Sequence, residues 1–207
     1  MHIVAVTGSL RAASSNTGLL RVCKKYLETK GHSCDIFVPD LPLFNQDLEA
    51  SPGDLVLAWR ERCAKADAFI FATCEYNYSI SGALKNAIDW ASRGPAGTEQ
   101  YIMAYLLSIV MPPSFFSAGN LFNDKAAAVV SAGGGVGGLR GQMHLRDIAL
   151  FLNLHIMNAP TVQLNIFAPP GTQVDLATGD ISHKETILQL EKVVDALIVW
   201  TGRIGMK

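Results

Sequence analysis

The sequence predicts an α/β protein: a five-stranded parallel sheet covered by helices on both faces. Two observations carry this. Apolar, β-rich runs alternate with helix-period segments along the chain. Three of the strand-to-helix joints are polar or glycine-rich loops, at residues 7–16, 75–81 and 131–138. In open α/β sheets ligands bind outside the carboxyl ends of the strands, so three such loops suggest one site.

The elements follow in order. Residues 2–6 form the first strand; Asn16 can cap a helix running to about Lys30, ended by Gly31. Residues 33–38 are a second strand, and residues 52–65 a helix with Leu55, Ala58, Trp59, Arg62 and Cys63 at helical spacing. Residues 68–73 are the third strand, and residues 82–92 a helix with Lys85 and Asp89 placed to pair at i,i+4. A strand at 125–131 and a helix at 139–154 come next, then a fifth strand within 155–167. The last helix, 182–203, opens with Ser182 as cap and Glu185 as the third helical residue of a capping box. The expected strand order is 2-1-3-4-5, the flavodoxin-like arrangement.

Bulk properties narrow the partners. The 207 residues, 49% hydrophobic, fit one domain with a sizeable core. A formal net charge of −1 gives no electrostatic case for nucleic acid or an anionic membrane surface. Cys23, Cys34, Cys63 and Cys74 lack metal-type spacing and read as reduced thiols, and no metal is expected. The N-terminus starts directly with a strand pattern and shows no secretory signal, so a cytoplasmic location is expected. Residues 101–122 carry no charge, but Pro112-Pro113 interrupts them well short of the roughly 20 apolar residues that span a bilayer. No membrane span is expected.

The first loop leads into the amino end of a helix, whose free N–H groups and dipole favour an anion. Ser9, Ser14, Ser15, Asn16 and Thr17 supply short polar groups there, and Arg11 supplies charge in a forked geometry suited to phosphate. No Gly-Lys dipeptide is present, so the loop is not a Walker A loop, which argues against an ATPase or GTPase. An ordinary polar turn with a solvated arginine stays open. Gly133, Gly135 and Gly138 match G-x-G-x-x-G, but no Asp or Glu lies between Asp147 and Asp175, where a dinucleotide site wants one. Bare backbone that lets a flat ring approach is the preferred use of these glycines, with a plain flexible turn as the alternative.

Gly8-Ser9-Leu10-Arg11, Glu75-Tyr76-Asn77-Tyr78-Ser79, the run 84–90 (Leu-Lys-Asn-Ala-Ile-Asp-Trp) and Gly137-Gly138 with Arg140, Gln142, His144, Leu145 and Arg146 together resemble the NADPH-dependent FMN reductase family. Within it the chain is similar to flavodoxin-like NAD(P)H:quinone reductases and their chromate- and azo-reducing relatives. The resemblance implies bound FMN, NADPH or NADH as reductant, hydride transfer to the flavin, two-electron reduction of a quinone-type acceptor, and homodimers or homotetramers. Azo compounds, chromate or free flavin are further acceptors it suggests. It places Ser9, Arg11, Ser14, Ser15, Asn16 and Thr17 at the FMN phosphate. Glu75, Tyr76, Asn77 and Tyr78 would line the ribityl chain and ring edge, and Ser131, Gly133, Gly134 and Gly137 the isoalloxazine. Catalytic side chains are not implied, because the flavin does the chemistry; His144 and His155 are read as packed or solvated.

Three positions depart from the family pattern: Cys74 and Ser81, where proline is usual, and Met143, where tyrosine is. The largest departure is an apolar insert at about 94–123 that includes Tyr101, Met103, Tyr105, Phe115 and Phe116, about 20 residues more than the family's short connection there and unusual for a structureless loop in a compact domain. A lid, an oligomer contact and a mobile excursion are all compatible with it. Two other functional classes stay open: a flavin-binding electron carrier or redox sensor, against which the near-neutral charge counts, and a flavin-free deoxyribosyltransferase, for which Glu75 is the only loop candidate for the carboxylate nucleophile.

Overall fold

The computed structural model describes residues 1–93, 119–168 and 174–205. Their elements are β1 (His2–Thr7), α1 (Ser15–Thr29), β2 (Ser33–Phe37), α2 (Asp54–Lys65), β3 (Ala68–Thr73), α3 (Gly82–Ala91), β4 (Ala126–Gly133), α4 (Leu139–Leu152), β5 (His155–Ile156), β6 (Val162–Asn165) and α5 (Lys184–Gly205). A short 3-10 turn at Gln46–Leu48 precedes α2. The sheet is parallel, in the order β2-β1-β3-β4-β5, with β6 also paired to β4.

The two-residue period of a strand explains why nearly every residue of the central strands is apolar. Ile3, Ala5, Ile70, Ala128 and Val130 face α1 and α5; Val4, Val6, Phe69, Phe71 and Val129 face α2, α3 and α4. Each face is therefore a separate buried layer, and the sheet is dry on both sides.

The sheet has six strands where five were expected, because the fifth is interrupted. Both pieces lie against β4: His155 and Ile156 pair with Ala126 and Ala127, and Val162–Asn165 with Val130–Gly133. Pro160 has no N–H to give a ladder. Thr161 partly replaces it, its Oγ1 lying 2.9 Å from the Val129 carbonyl.

Two helix starts also differ from the sequence reading. Ser14, not Asn16, caps α1, its Oγ accepting from the Thr17 N–H. The capping box at Ser182 does not form: α5 begins at Lys184, and the His183 carbonyl accepts from the Ile187 N–H. Ser81 caps α3 by accepting from Leu84 N–H at 3.2 Å.

The insert between α3 and β4 is fastened at both ends. Arg60 of α2 donates to the carbonyls of Trp90 and Arg93, where the chain departs, and of Gly119, where it returns. Residues 94–118, with Tyr101, Met103, Tyr105, Phe115 and Phe116, lie outside the described residues. The carboxyl end of the insert belongs to the core: Phe122 is fully buried against Phe69 and Phe71, with ring centroids 5.1 and 6.3 Å away. Phe122→Ala is expected to cost about 3–5 kcal/mol, the range for emptying an aromatic core position. Chemical denaturation measures it, and a loss under about 1 kcal/mol would remove Phe122 from the core.

All four cysteines are free and buried. Burial disfavours the thiolate and pushes Cys23 and Cys34 up to about 12 from the ordinary 9.0. Their protonated form therefore favours the native state fully below the ordinary thiol value, and that contribution is lost as pH rises through about 12. A disulfide-exchange reagent at pH near 8, below the ordinary thiol value of 9.0, is expected to titrate all four only after denaturant is added. Rapid labelling of the native protein would contradict this.

Candidate functional site

The parallel register brings three strand ends side by side. Thr7 of β1 stands opposite Ala72 of β3, and Thr73 opposite Ser131 of β4. The loops leaving these strands, residues 8–14, 74–81 and 134–138, thus share the carboxyl edge of the sheet. The Gly8 N–H closes the first onto the third strand by donating to the Ala72 carbonyl at 2.7 Å.

In the first loop the polar side chains mostly bind one another. Thr7 Oγ1 accepts from Ser9 N–H and from Thr17 Oγ1, at 3.3 and 3.0 Å, and Ser9 Oγ accepts from Arg11 N–H at 3.2 Å. Ser9, Ser14 and Ser15 are buried under the loop, and Arg11 is exposed at its tip, its guanidinium donating to the Ala13 carbonyl at 2.8 Å. Ser15 and Asn16 occupy the first turn of α1, where N–H groups have no intrahelical acceptor.

Asn16 is the main correction in this loop. Its side chain is turned inward: Nδ2 donates to the Ala132 carbonyl and Oδ1 accepts from the Ala132 N–H, both at 2.9 Å. Nδ2 also lies 3.4 Å from Cys74 Sγ. The carboxamide thus ties α1 to β4 and is not offered to the open side of the loop.

The second loop is a tight turn. Tyr76 and Ser79 exchange backbone hydrogen bonds at 3.0 Å, with Asn77 and Tyr78 at φ 51° and 66° between them. Two positive φ values are the signature of a primed hairpin turn, which Asn takes well. The turn projects Tyr76, Asn77 and Tyr78 outward, all exposed. The Arg140 guanidinium lies 4.1 Å from the Tyr78 ring centroid, and His144 Nδ1 lies 3.0 Å from Ser79 Oγ.

Glu75 does something else again. Its Oε2 accepts from the backbone N–H of Arg140 and Gly141 at 2.9 and 3.4 Å, and its Oε1 pairs with the Arg140 guanidinium at 3.2 Å. It caps the amino end of α4, where Gly138 offers no side chain, and its side chain is only 14% exposed. A carboxylate held this way is not a free nucleophile, which removes the deoxyribosyltransferase reading.

Beneath the first two loops, Cys74 lies among Tyr76, Ser9 and Asn16. Burial raises its thiol above the ordinary value, against hydrogen bonds from those three neighbours that favour the thiolate. The neighbouring Cys74, then burial, raise the Tyr76 phenol in turn. Both stay protonated at neutral pH.

The glycine loop is shaped by its own packing. Gly137 has φ 65°, and a Cβ there would lie 2.7 Å from the Gln163 carbonyl carbon, so glycine is required for the crossing with β6. A Cβ on Gly134 would meet only the Phe167 ring at 3.4 Å, and its φ needs no glycine. Expecting both to be bare for a flat ring is therefore corrected at Gly137. Ser131 is likewise behind the loop, fully buried, its Oγ donating to the Gly137 carbonyl at 2.6 Å. Gly133 ends β4 and Gly134 is exposed on the open side.

Sequence reasoning gave Gln142 no role of its own. It is 1% exposed on the stripe that also buries Leu145, Ala149 and Leu152. A glutamine in an apolar helix stripe is the signal that was available, since a buried amide needs partners. A cleft of about 340 Å³ lined by Gly18, Arg21, Tyr26, Ile181 and Glu191 lies between α1 and α5, on the helical face instead of the strand ends.

Among the described residues no helix is long and apolar enough to cross a membrane, and no group of His, Cys, Asp and Glu could hold a metal. The order 2-1-3-4-5 with its loops at the carboxyl edge defines a flavodoxin-like fold. The structure of the FerB flavoenzyme NAD(P)H:(acceptor) oxidoreductase from Paracoccus denitrificans is similar, with a TM-score of 0.75, 28% identity and 99% coverage of each chain. The profile of the NADPH-dependent FMN reductase family matches residues 1–168, and the chain belongs to that family. It is 41% identical over 203 residues to a Solanum tuberosum NAD(P)H:quinone oxidoreductase, covering 95% of this chain and 91% of that one. To an Arabidopsis thaliana NADPH:quinone oxidoreductase it is 38% identical over 212 residues, covering 100% and 95%.

Asn16→Ala would leave the N–H and carbonyl of Ala132 unpaired in a buried place, at about 1–3 kcal/mol each. The expected result is a drop in thermal stability of the cofactor-free protein. An unchanged melting temperature would mean that the Asn16 clamp is dispensable.

Proposed function

We propose that this chain is an FMN-dependent oxidoreductase that takes hydride from NADPH or NADH and passes two electrons to quinone-type acceptors. The observation that carries it is the phosphate-type corner at the first strand end. The first-turn N–H groups of α1 and the exposed Arg11 guanidinium, tied to the Ala13 carbonyl, lie there over the buried Ser9, beside the primed turn and the glycine loop. That donor set fits a single phosphate, and the loops beside it fit a flat ring.

FMN, when bound, supplies the hydride and two-electron chemistry; the chain supplies binding and orientation. Arg11, Ser9, Ser14, Ser15 and Thr17 form the phosphate corner in this reading, Ser14 and Thr17 by shaping it and Asn16 through its backbone N–H. Tyr76, Asn77 and Tyr78 line the ribityl chain and ring edge. Gly133 and Gly134 face the ring, with Ser131 and Gly137 supporting them from behind. Glu75 holds the second loop to the start of α4 instead of touching the ligand.

The same reading makes residues 1–207 one FMN-binding domain with an insert at about 94–123. It is a homo-oligomer, supported by the exposed Leu139, Met143, Leu150 and Phe151 of α4, the last two 82% and 87% accessible. A cytoplasmic location agrees with four unpaired thiols.

The purified protein is expected to be yellow and to release FMN; chromatography of the released cofactor showing FAD would sink the reading. Arg11→Ala should weaken FMN binding by about 1.5–3 kcal/mol, the range for a hydrogen bond to a charged group, and leave the fold intact. Fluorescence titration of the cofactor-free protein measures it. An unchanged affinity would return Arg11 to a solvated surface role.

A further inference from the structure

We propose that Gln142 is a positioning residue for the cofactor ring: through Ser131 it fixes the Gly137–Gly138 peptide so that the Gly138 N–H is presented to an acceptor atom of the flavin. This rests on reading the loop edge as the FMN site.

Gln142 is held on all sides. Its Nε2 donates to Ser131 Oγ and to the Val162 carbonyl, both at 2.8 Å. A carbonyl can only accept, so Val162 fixes which end of the amide faces Ser131. Its Oε1 accepts from Gln163 Nε2 at 3.1 Å and lies 2.8 Å from Thr161 Oγ1, whose single proton is shared with the Val129 carbonyl. Two strands and one helix thus lock the amide in one pose.

Having accepted from Gln142, the Ser131 hydroxyl has its one proton left for the Gly137 carbonyl, 2.6 Å away. That turns the carbonyl inward. In a planar trans peptide the C=O and the following N–H point in opposite directions, so the Gly138 N–H points away from Ser131, and Gly133 lies beside its nitrogen. Gly138 is buried, yet its N–H makes no hydrogen bond among the described residues. Buried backbone donors are seldom left unpaired. Gly133 keeps this one uncovered, since a Cβ there would lie 3.4 Å from Gly138 N. The site therefore has a donor aimed away from Ser131, a residue beside it without a side chain, and a buried relay that sets its direction.

The test uses Ser131→Ala, which removes the hydroxyl; Gln142→Glu, which keeps an acceptor for Thr161 and Gln163 but loses the amide donor to Ser131 and to the Val162 carbonyl; and the double variant. FMN is titrated into each cofactor-free protein by fluorescence, the visible spectrum of the bound flavin is recorded, and the melting temperature of the cofactor-free form is measured. Each single variant is expected to weaken FMN binding about tenfold, as loss of one hydrogen bond does, and to shift the flavin absorption bands. The double variant should be no weaker than the worse single one, because both cut one chain of bonds. Ser131→Ala deletes one oxygen, so it keeps the test alive if Gln142→Glu fails to fold. Wild-type affinity and spectrum in Ser131→Ala, or losses that simply add, would overturn the proposal. Failure of the wild-type protein to take up FMN would overturn the site reading itself.

Discussion

The clamp between the Asn16 carboxamide and Ala132 organises the carboxyl edge of the sheet. Parallel strands that stop together leave backbone groups with no ladder partner, and at β4 one side chain from α1 supplies both missing partners at 2.9 Å. The clamp joins residues 116 apart in sequence and brings Nδ2 near Cys74 as well. The amino end of α1, the turn after β3 and the glycine loop are therefore placed relative to one another by a single amide. The Gly8 N–H, closed onto the Ala72 carbonyl, adds a second tie at the same edge.

The second fastening is Glu75. A helix that starts at Gly138 lacks a side-chain cap, and Glu75 provides one from the neighbouring loop through the N–H groups of Arg140 and Gly141. Asn16 and Glu75 have the same logic: a side chain from one loop satisfies backbone groups at the end of the next element. Both were assigned to a ligand site from the family resemblance and from their place in the loops. Neither was legible as a brace, because the partner that consumes the side chain is far away in sequence. The same limit explains Ser131, which stands in a ligand loop by position but turns behind it to reach Gly137 and Gln142.

What was legible follows from local physics. The all-apolar central strands and the helix after each follow from periodicity and alternation; the order 2-1-3-4-5 was the preferred flavodoxin-like arrangement for such an alternation, and the structure has it. The split into β5 and β6 hinged on Pro160 and on the register of Thr161 against β4, and register is a tertiary property. At the start of α1, Ser14 and Asn16 are both good caps by type. The choice fell to Ser14 because the Asn16 amide is needed at Ala132. The glycines illustrate the opposite case: their presence marked a special loop correctly, but close passage over Gln163 demands Gly137, whereas little demands Gly134.

The charges at this edge decide which ligand it suits. Two arginines stand near the loops. Arg140 is matched by Glu75, at 3.2 Å, and stacks on Tyr78, so its charge is spent within the protein. The Arg11 guanidinium donates to the Ala13 carbonyl and has no carboxylate partner among the described residues. With the dipole of α1 beside it, the corner keeps an uncompensated positive charge at one place and none along the rest of the edge. That distribution favours a ligand with one anionic group at one end and a neutral body along the other loops. A dinucleotide carries its charge in the middle and asks for a carboxylate at a ribose. A mononucleotide with a long uncharged ring system matches the placement of Arg11, the exposed turn at Asn77 and Tyr78 and the open glycine loop together.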